Sequence, residues 1–427
     1  MNILFLIPAI PGSKNNKITF SNLLWKVIFT PPLTFEMLAA VTPLEHTITL
    51  LDERIENIDF SKHYDVVGIT TITPVAHKAY EIADEFRRRG MKVVLGGWHP
   101  SIFPNEAKQH ADAVVIGEGE NSWSQLLQDL KKGTLRSFYN HDRPIDLQSL
   151  PPPRRNFSHK GGFIIGEIQA TRGCTIGCQY CAITNRPFGR VWRFRSINDI
   201  VKEIETIPQK FLYFCDPSLT VNPQYTKQLF RALKHLNKKI FCNGNTDILH
   251  RDEELIKLSS EAGCVEWSIG FESISQMNLD SIGKITNKVH DFPATVKKIH
   301  DYGIAVNGNF IFGMDEDHPD VFDKTIDAVN DWELDLSAFS ILTPFPGTPL
   351  FERMEKEKRI LTRDWSQYDL RHVVFQPKHL SIEELSEGTK RVHDEVYTFL
   401  KKVKRSVKCL RFGPYTFFTN GLQNFVI

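Results

Sequence analysis

Short apolar runs alternate with segments of helical periodicity over the first part of the chain. Such runs predict buried strands, and Lys78–Arg89 carries its apolar residues at the spacing of an amphipathic helix. This alternation is typical of a parallel sheet covered by helices. The predicted strands are Ile3–Ile7, Thr47–Leu51, Val66–Thr70, Val93–Leu95 and Ala113–Ile116.

A second series of strand-like runs begins near Phe163, with helical segments such as Ile197–Ile207 and Pro223–Leu236 in most of the intervals. The pattern predicts six β/α units. Such units form a parallel barrel, which can be complete or incomplete. Active sites of such barrels lie at the carboxyl ends of the strands. The predicted strands are Ile164–Ala170, Phe211–Phe214, Ile240–Asn243, Val265–Gly270, Ala305–Phe312 and Ala338–Leu342.

The pattern also divides the chain. Periodicity is lost after residue 133, and the run Pro151–Arg155 is typical of a semi-rigid connector. Beyond residue 361 the pattern changes to short helices, of which Ser381–Lys402 is the clearest. We therefore expect a first domain at 1–133, a linker at 134–160, a barrel at 161–361 and a small, mainly helical C-terminal extension at 362–427.

Composition and charge exclude several classes of protein. The 427 residues exclude a single small module, and 52 Lys and Arg against 51 Asp and Glu leave no overall field for nucleic acid. No apolar run approaches the ~20 residues that cross a bilayer. The N-terminus lacks the basic region of a signal peptide, so the sequence favours a cytoplasmic protein.

The cysteines indicate where the chemistry lies. Three of the seven form Cys174-x3-Cys178-x2-Cys181, a loop directly after the first predicted barrel strand, and the other four are scattered singly. Three thiolates on one loop can hold three irons of a [4Fe-4S] cluster and leave the fourth iron open to a ligand that is not protein. A structural zinc site, the alternative, would require a fourth ligand.

This loop and its position resemble the radical S-adenosylmethionine (radical SAM) superfamily over about residues 163–345. The resemblance implies a partial (β/α)6 barrel in which SAM chelates the open iron and is cleaved to a 5′-deoxyadenosyl radical. It places Tyr180 near adenine, Asp216 at the SAM amino group and Glu272 at the ribose. Asn243 and Asn245 bind SAM or substrate, or cap a helix. The SAM-binding residues implied are Tyr180, Asp216, Glu272, Ser273, Phe312 and Gly313.

The first domain resembles the cobalamin-binding domain of class B, cobalamin-dependent radical SAM enzymes, on the segments Ile69–Pro74, Leu95–Pro100 and Ile116–Glu120. The resemblance implies a flavodoxin-like (Rossmann-type) α/β fold. The usual Asp-x-His-x-x-Gly motif is absent, so we expect base-off cobalamin without a protein histidine on cobalt, and His99 to make hydrogen bonds instead. A domain that has kept the fold but lost the cofactor is the alternative. The cobalamin contacts implied are Thr71, Thr73, Gly96, Gly97, His99, Gly117, Glu118 and Glu120.

The resemblance implies a methyltransferase that acts on an unactivated carbon. One SAM would remethylate cobalamin, and a second would supply the radical that removes a substrate hydrogen before methylcobalamin donates its methyl group. An external one-electron reductant such as flavodoxin or ferredoxin is implied. The substrate stays open among a peptide or protein side chain, a lipid and a natural-product intermediate. The alternatives are a radical SAM rearrangement or cyclisation enzyme with accessory or absent cobalamin, and a cobalamin/iron–sulfur sensor.

The C-terminal tail combines the basic run Lys401–Lys408 with the aromatic residues Phe412, Tyr415, Phe417 and Phe418. Basic residues suit the C-terminal end of a helix, so we expect the tail to pack back across the domains. The alternative is a peripheral contact with an anionic membrane, which would favour a lipid substrate.

Overall fold

The computed structural model describes residues 1–10, 33–155, 163–421 and 423–425. Its first sheet has six parallel strands in the order β2-β1-β3-β4-β5-β6. This is a flavodoxin-like order, whose ligands bind beyond the carboxyl ends of the strands. The predicted fold of the first half is therefore confirmed. The strands are β1 (Asn2–Ile7), β2 (Thr47–Asp52), β3 (Val66–Thr70), β4 (Lys92–Gly96), β5 (Ala113–Val115) and β6 (Phe138–Tyr139).

Helices cover both faces of this sheet because side chains alternate along each strand. Leu4 packs in the cluster that holds the helix Ala76–Arg88, whereas its neighbour Phe5 packs in the cluster that holds Trp123. In that helix Ala79, Ile82, Ala83 and Phe86 are buried, as the spacing predicts. The helices of this half are Leu33–Ala40, Ala76–Arg88, Trp98–Ile102, Pro104–His110 and Gly119–Lys132.

The second sheet also has six parallel strands, in the order β14-β13-β12-β11-β10-β7. Its two edge strands do not pair with each other in the described part of the chain, so the predicted barrel is partial. A short antiparallel ribbon, β8 (Thr171–Arg172) with β9 (Arg193–Phe194), flanks the loop that carries the cysteines. The sheet strands are β7 (Ile165–Ile168), β10 (Phe211–Phe214), β11 (Lys239–Gly244), β12 (Cys264–Glu272), β13 (Ala305–Phe312) and β14 (Leu336–Ile341).

Helices between these strands bury one face against the sheet around the fully buried Trp267. Their starts carry local sequence signals: the Asn222 side chain accepts a hydrogen bond from the Tyr225 amide, and Pro223 occupies the first helical position. The helices are Ala182–Asn185, Ile197–Thr206, Pro223–Leu233, Thr246–Arg251, Glu253–Glu261, Gln276–Ser281, Phe292–Asp301, Val321–Asp331 and Pro349–Lys356.

The C-terminal part differs from the prediction in one respect. The continuous helix expected at Ser381–Lys402 is two helices, Ile382–Val396 and Phe399–Lys408. The chain turns at Tyr397 because its buried hydroxyl donates to the Ser337 carbonyl and accepts from the Ser337 amide. Helical periodicity continues through this break, so the sequence pattern alone does not reveal it.

Two connecting segments bring the halves of the molecule together. The segment expected to be a linker contains β6 of the first sheet, and its residues 156–160 lie outside the described residues. Trp365 and Tyr368, which follow the second sheet, pack into the hydrophobic cluster of the first. No helix in the described ranges is both long and apolar enough to cross a bilayer.

Candidate active site

The cysteine loop, residues 173–181, joins β8 to the helix Ala182–Asn185. Gly173 has a φ of +89°, and a Cβ there would lie 2.2 Å from the Val191 carbonyl oxygen, so the turn requires glycine. The carbonyl of Cys174 accepts a hydrogen bond from the Thr184 hydroxyl at 2.8 Å. Asn185 donates to the carbonyls of Cys178 and Cys181 at 2.9 and 2.8 Å. These hydrogen bonds hold the backbone of the loop, and its three cysteines line one cavity of about 280 Å³.

The cysteines fit an iron–sulfur cluster better than a single metal ion. In the described part of the chain, no three Cys, His, Asp or Glu residues are grouped so that they could hold one ion. A [4Fe-4S] cluster takes one thiolate on each iron and therefore accepts thiols that are farther apart. Burial raises the pKa of the Cys178 thiol to about 11, and also raises that of Cys174. A bound metal cation would stabilise the thiolates here, and the absence of a compact ligand group among the described residues disfavours the zinc alternative.

The wall facing the cysteines carries a buried ion pair. Glu272 has a φ of +64°, and its Oε1 lies 2.9 Å from the Lys284 Nζ, with both side chains about one-tenth exposed. Burial alone would lower the pKa of Lys284, but the negative charge of Glu272 outweighs it and raises that pKa well above its usual value. Together with Tyr180, the pair forms a charged, hydrogen-bonding surface in the cysteine-loop cavity.

Other residues predicted to bind SAM lie outside the described lining of this cavity. The Asp216 carboxylate, fully buried, accepts hydrogen bonds from the amides of Ala170 and Thr171 and from the Thr171 hydroxyl. It ties the end of β10 to the start of the cysteine loop. Burial raises its pKa to about 6. Ser273 accepts from the Ser275 amide, whereas Gly313 adjoins Phe375 and Leu385, and Phe312 is buried in the same core.

The cavity contains side chains that sequence reasoning missed or left open. Asn243 and Asn245, assigned to SAM, substrate or a helix cap, line it, and so do Ser268 and Asn309. Asn309 donates to the Ser268 hydroxyl at 3.0 Å across β12 and β13. The sequence signal that could have identified these two residues is a polar side chain in the middle of a buried strand. Lys284 gave no such signal, because only tertiary structure brings it to Glu272.

A second cavity, of about 470 Å³, lies where the carboxyl ends of β3, β4 and β5 face the second sheet. Gly117 has a φ of +82°, and no atom lies within 4 Å of the position of a Cβ there, so the backbone faces open space. The buried Trp98 Nε1 on this wall has no hydrogen-bond partner among the residues that the structure describes. A bare backbone and an unused donor suit a flat ring with amide acceptors, so this inter-sheet cavity fits cobalamin. The predicted residues on its wall are Gly96, Gly97, Gly117, Glu118 and Glu120.

The remaining predicted cobalamin residues, Thr71, Thr73 and His99, lie behind this wall. His99 is fully buried, with Nδ1 3.4 Å from the Thr73 hydroxyl and Nε2 3.1 Å from Glu106 Oε1. Its ring also packs edge-on against Trp365. Burial lowers the pKa of His99. Both ring nitrogens face protein side chains, and a contact between His99 and cobalamin stays a prediction.

Charged groups from both sheets meet at the inter-sheet cavity. Arg172 donates to Glu120 at 2.5 Å, and Arg193 donates to Glu118 at 2.6 Å. Burial alone would raise the pKa of Glu118, but Arg193 and Arg172 outweigh it and lower that pKa. Arg186 lines the same cavity, and its side chain makes no hydrogen bond or ion pair within the described residues. The lining of this cavity thus carries two guanidinium groups, those of Arg172 and Arg186, and three carboxylates, those of Glu118, Glu120 and Glu167.

A flavodoxin-like sheet that fits cobalamin, joined to a partial barrel with an open three-cysteine loop, defines a class of enzymes that combine the two cofactors. Residues 168–329 match the radical SAM superfamily, and residues 29–127 match the B12 binding domain. Bacteriochlorophyllide d C-12(1)-methyltransferase of Chlorobaculum tepidum is 33% identical over 92% of this chain and 88% of its own length. The chain therefore belongs to the cobalamin-dependent radical SAM methyltransferases, which use a [4Fe-4S] cluster, SAM and cobalamin.

Further similarities agree with this family. Bacteriochlorophyllide d C-8(2)-methyltransferase of the same organism is 29% identical over 87% of this chain and 86% of its own. The solved structure of the cobalamin-dependent radical enzyme OxsB, with aqua-cobalamin and SAM bound, shares the fold with a TM-score of 0.72. The two sequences are 15% identical, and the match covers the whole of this chain and 72% of the OxsB chain. The relatives also include hopanoid methylases and a cyclase.

Proposed function

We propose that this enzyme methylates an unactivated carbon of a large apolar ring compound that carries an acidic group. A chlorin carboxylate of the bacteriochlorophyllide type is the first member of that class to test. The proposal rests on the inter-sheet cavity, whose wall is mostly apolar and holds the guanidinium of Arg186, which makes no hydrogen bond or ion pair within the described residues. The long match to two methyltransferases that are named for a bacteriochlorophyllide supports the choice of substrate.

The cofactors, when bound, supply hydrogen abstraction from an unactivated carbon and a methyl donor. The protein residues position these groups. Glu272 and Lys284 present fixed charges in the cysteine-loop cavity, and the apolar wall of the inter-sheet cavity, with Phe5 and Ile72, excludes water from a reactive carbon. Arg186 is free to hold a substrate carboxylate at the edge of that wall.

Charge accounts for the role of Arg186. Burial lowers the pKa of this guanidinium, and the positive charge of Arg172 lowers that pKa further. The carboxylates in reach, Glu118 and Glu120, are already held by Arg172 and Arg193. The guanidinium is half-buried and has no hydrogen-bond partner among the described residues, so an incoming oxyanion can form charged hydrogen bonds with it. Arg186 therefore offers a binding group for an anionic substituent beside the apolar part of the wall.

The test compares Arg186→Gln with the wild-type holoenzyme on bacteriochlorophyllide as the free acid and as its methyl ester. We expect the variant to raise the KM for the acid about tenfold to a hundredfold, since a charged hydrogen bond contributes about 1.5–3 kcal/mol. The KM for the ester should not change. Arg143→Gln, an exposed position whose side chain makes no hydrogen bond or ion pair within the described residues, is the matched control. The products are followed by mass spectrometry.

Three other outcomes are informative. Loss of bound cobalamin in Arg186→Gln, followed by absorbance, would assign the guanidinium to the cobalamin phosphate and overturn the substrate carboxylate. Formation of 5′-deoxyadenosine without a methylated product would favour the cyclisation alternative. Turnover of a neutral hopanoid in preference to both chlorins would reject the acidic substrate class while leaving the methyltransferase activity in place.

A further inference from the structure

The C-terminal segment, described at residues 399–421 and 423–425, covers the amino-terminal ends of the second sheet, on the side opposite the cysteine loop. Asn420 donates to the buried Glu266 carboxylate at 2.5 Å, and Asn424 donates to the Asp335 carbonyl at 3.2 Å. The ring of Phe418 stacks on Phe211 at the start of β10. The segment is therefore fixed to the barrel by polar contacts along its inner side.

Its outer side exposes apolar residues. Phe399 and Leu400 are 71% and 80% exposed, and Val407 and Leu410 are 56% and 53% exposed. In the part of the chain that the structure describes, 21 large apolar side chains are exposed, and nine of them belong to this segment. Four of the nine follow a helical spacing and form one stripe: Phe399, Val403, Val407 and Leu410. The aromatic residues Tyr415, Phe417, Phe418 and Phe425 extend the exposed apolar surface.

Charge identifies what would cover this surface. Residues 396–427 contain six Lys and Arg residues and no Asp or Glu. Lys408 and Arg411 pair with Glu333, and Arg405 donates to Asn424 and to the Val396 carbonyl. Lys401 and Lys404 form no ion pair with any residue that the structure describes. Lys210 and Lys239, from the barrel, flank the Tyr415 ring and add to the positive rim.

From these two observations we propose that residues 399–425 dock the enzyme on an anionic lipid bilayer. The helix Phe399–Lys408 lies in the plane of the interface, with its apolar stripe among the acyl chains and its lysines at the headgroups. A symmetric pair of chains would bring the same positive rims together, so the charge disfavours a second copy as the partner. The two cofactor cavities lie at the other end of the second sheet and stay open to solvent.

The test is co-sedimentation of the reconstituted full-length enzyme with vesicles of phosphatidylcholine, with and without phosphatidylglycerol. We expect binding to the anionic vesicles that weakens with salt. Lys401→Glu combined with Lys404→Glu should weaken it at least about tenfold, since each lysine near the surface contributes about 1 kcal/mol. Phe399→Ser combined with Leu400→Ser should weaken binding at every salt concentration. Leu44→Ser, which alters a side chain 83% exposed on the first domain, is the matched control and should bind as the wild type does.

Circular dichroism melts of each variant separate lost folding from lost docking, and a sample spun without vesicles corrects for aggregation. Wild-type enzyme that stays in the supernatant with anionic vesicles overturns the proposal. So does equal binding of the wild type and the double lysine variant. A stable dimer in light scattering that dissociates in Phe399→Ser with Leu400→Ser, without vesicle binding, would instead assign the surface to a second copy of the chain. These results do not depend on methyl transfer.

Discussion

The two cavities occupy equivalent positions on their sheets, but their charged walls are built from different parts of the chain. Each lies at the carboxyl ends of parallel strands, where loops converge. The charged wall of the cysteine-loop cavity comes from one sheet, since Glu272 and Lys284 both belong to the barrel. The charged wall of the inter-sheet cavity comes from both, since Arg172 of the barrel bonds Glu120 of the first domain. The first site is therefore local to one domain, whereas the second depends on how the domains meet.

The largest effect is expected at the cysteine loop. Cys178→Ser removes one of three thiolates, and we expect the iron and sulfide content and the 5′-deoxyadenosine production to fall below detection. Cobalamin retention should not change, because that cavity has separate walls. Cys264→Ser is the control, since its Sγ donates to the Glu266 carbonyl, a bond that a hydroxyl can make. Iron loss in the control, or a full cluster in Cys178→Ser, would contradict this separation.

An intermediate effect is expected at the contact between the domains. Glu120→Gln leaves the buried Arg172 with Glu118 as its remaining carboxylate partner at 3.4 Å. Removing one partner of a buried pair costs up to about 3–5 kcal/mol, and the remaining carboxylate limits the loss here to about 2 kcal/mol. We expect a lower melting temperature and weaker cobalamin binding, with iron content intact.

The control for that variant is Glu395→Gln, which removes an exposed ion pair with Arg391 and should leave both properties unchanged. Equal loss of iron and cobalamin in Glu120→Gln would show that the two cavities are not independent. Unchanged cobalamin binding would show that the domain contact does not shape the inter-sheet cavity.

The smallest effect is a difference in pH dependence. The pKa of Asp216 is raised from 3.8 to about 6, so its protonated form is favoured in the folded state. Relative to Asp216→Asn, the wild type should lose stability as pH rises from about 4 to about 6. The pKa of Glu118 is lowered from 4.5, so relative to Glu118→Gln the wild type should lose stability as pH falls below about 4.5.

Urea unfolding of the three proteins across this pH range measures both differences. The two slopes should have opposite signs. Slopes of the same sign would mean that one of the two carboxylates is not in the environment that the structure gives it.

The two cavities also differ in how well the sequence predicted their residues. At the cysteine loop, spacing within eight residues identified the three cysteines and Tyr180, because a short loop keeps its members together. At the first sheet, the glycines of the strand-end loops line the cavity as predicted. Thr71, Thr73 and His99 belong to the same loops, and their side chains point behind the wall. A loop sequence predicts where the backbone goes more reliably than where a side chain points.

Local patterns determined the strands of both sheets except β6, their parallel arrangement, the cysteine loop and a few of the helices, because each depends on neighbours within a few residues. Tertiary structure alone decided which charges pair. It brought Lys284 to Glu272, set Arg172 and Arg193 against Glu118 and Glu120, and gave Arg186 no ion pair within the described residues. It also ended a helix at Tyr397, where a buried hydroxyl bonds a distant strand. These contacts join residues far apart in the chain, and no local periodicity encodes them.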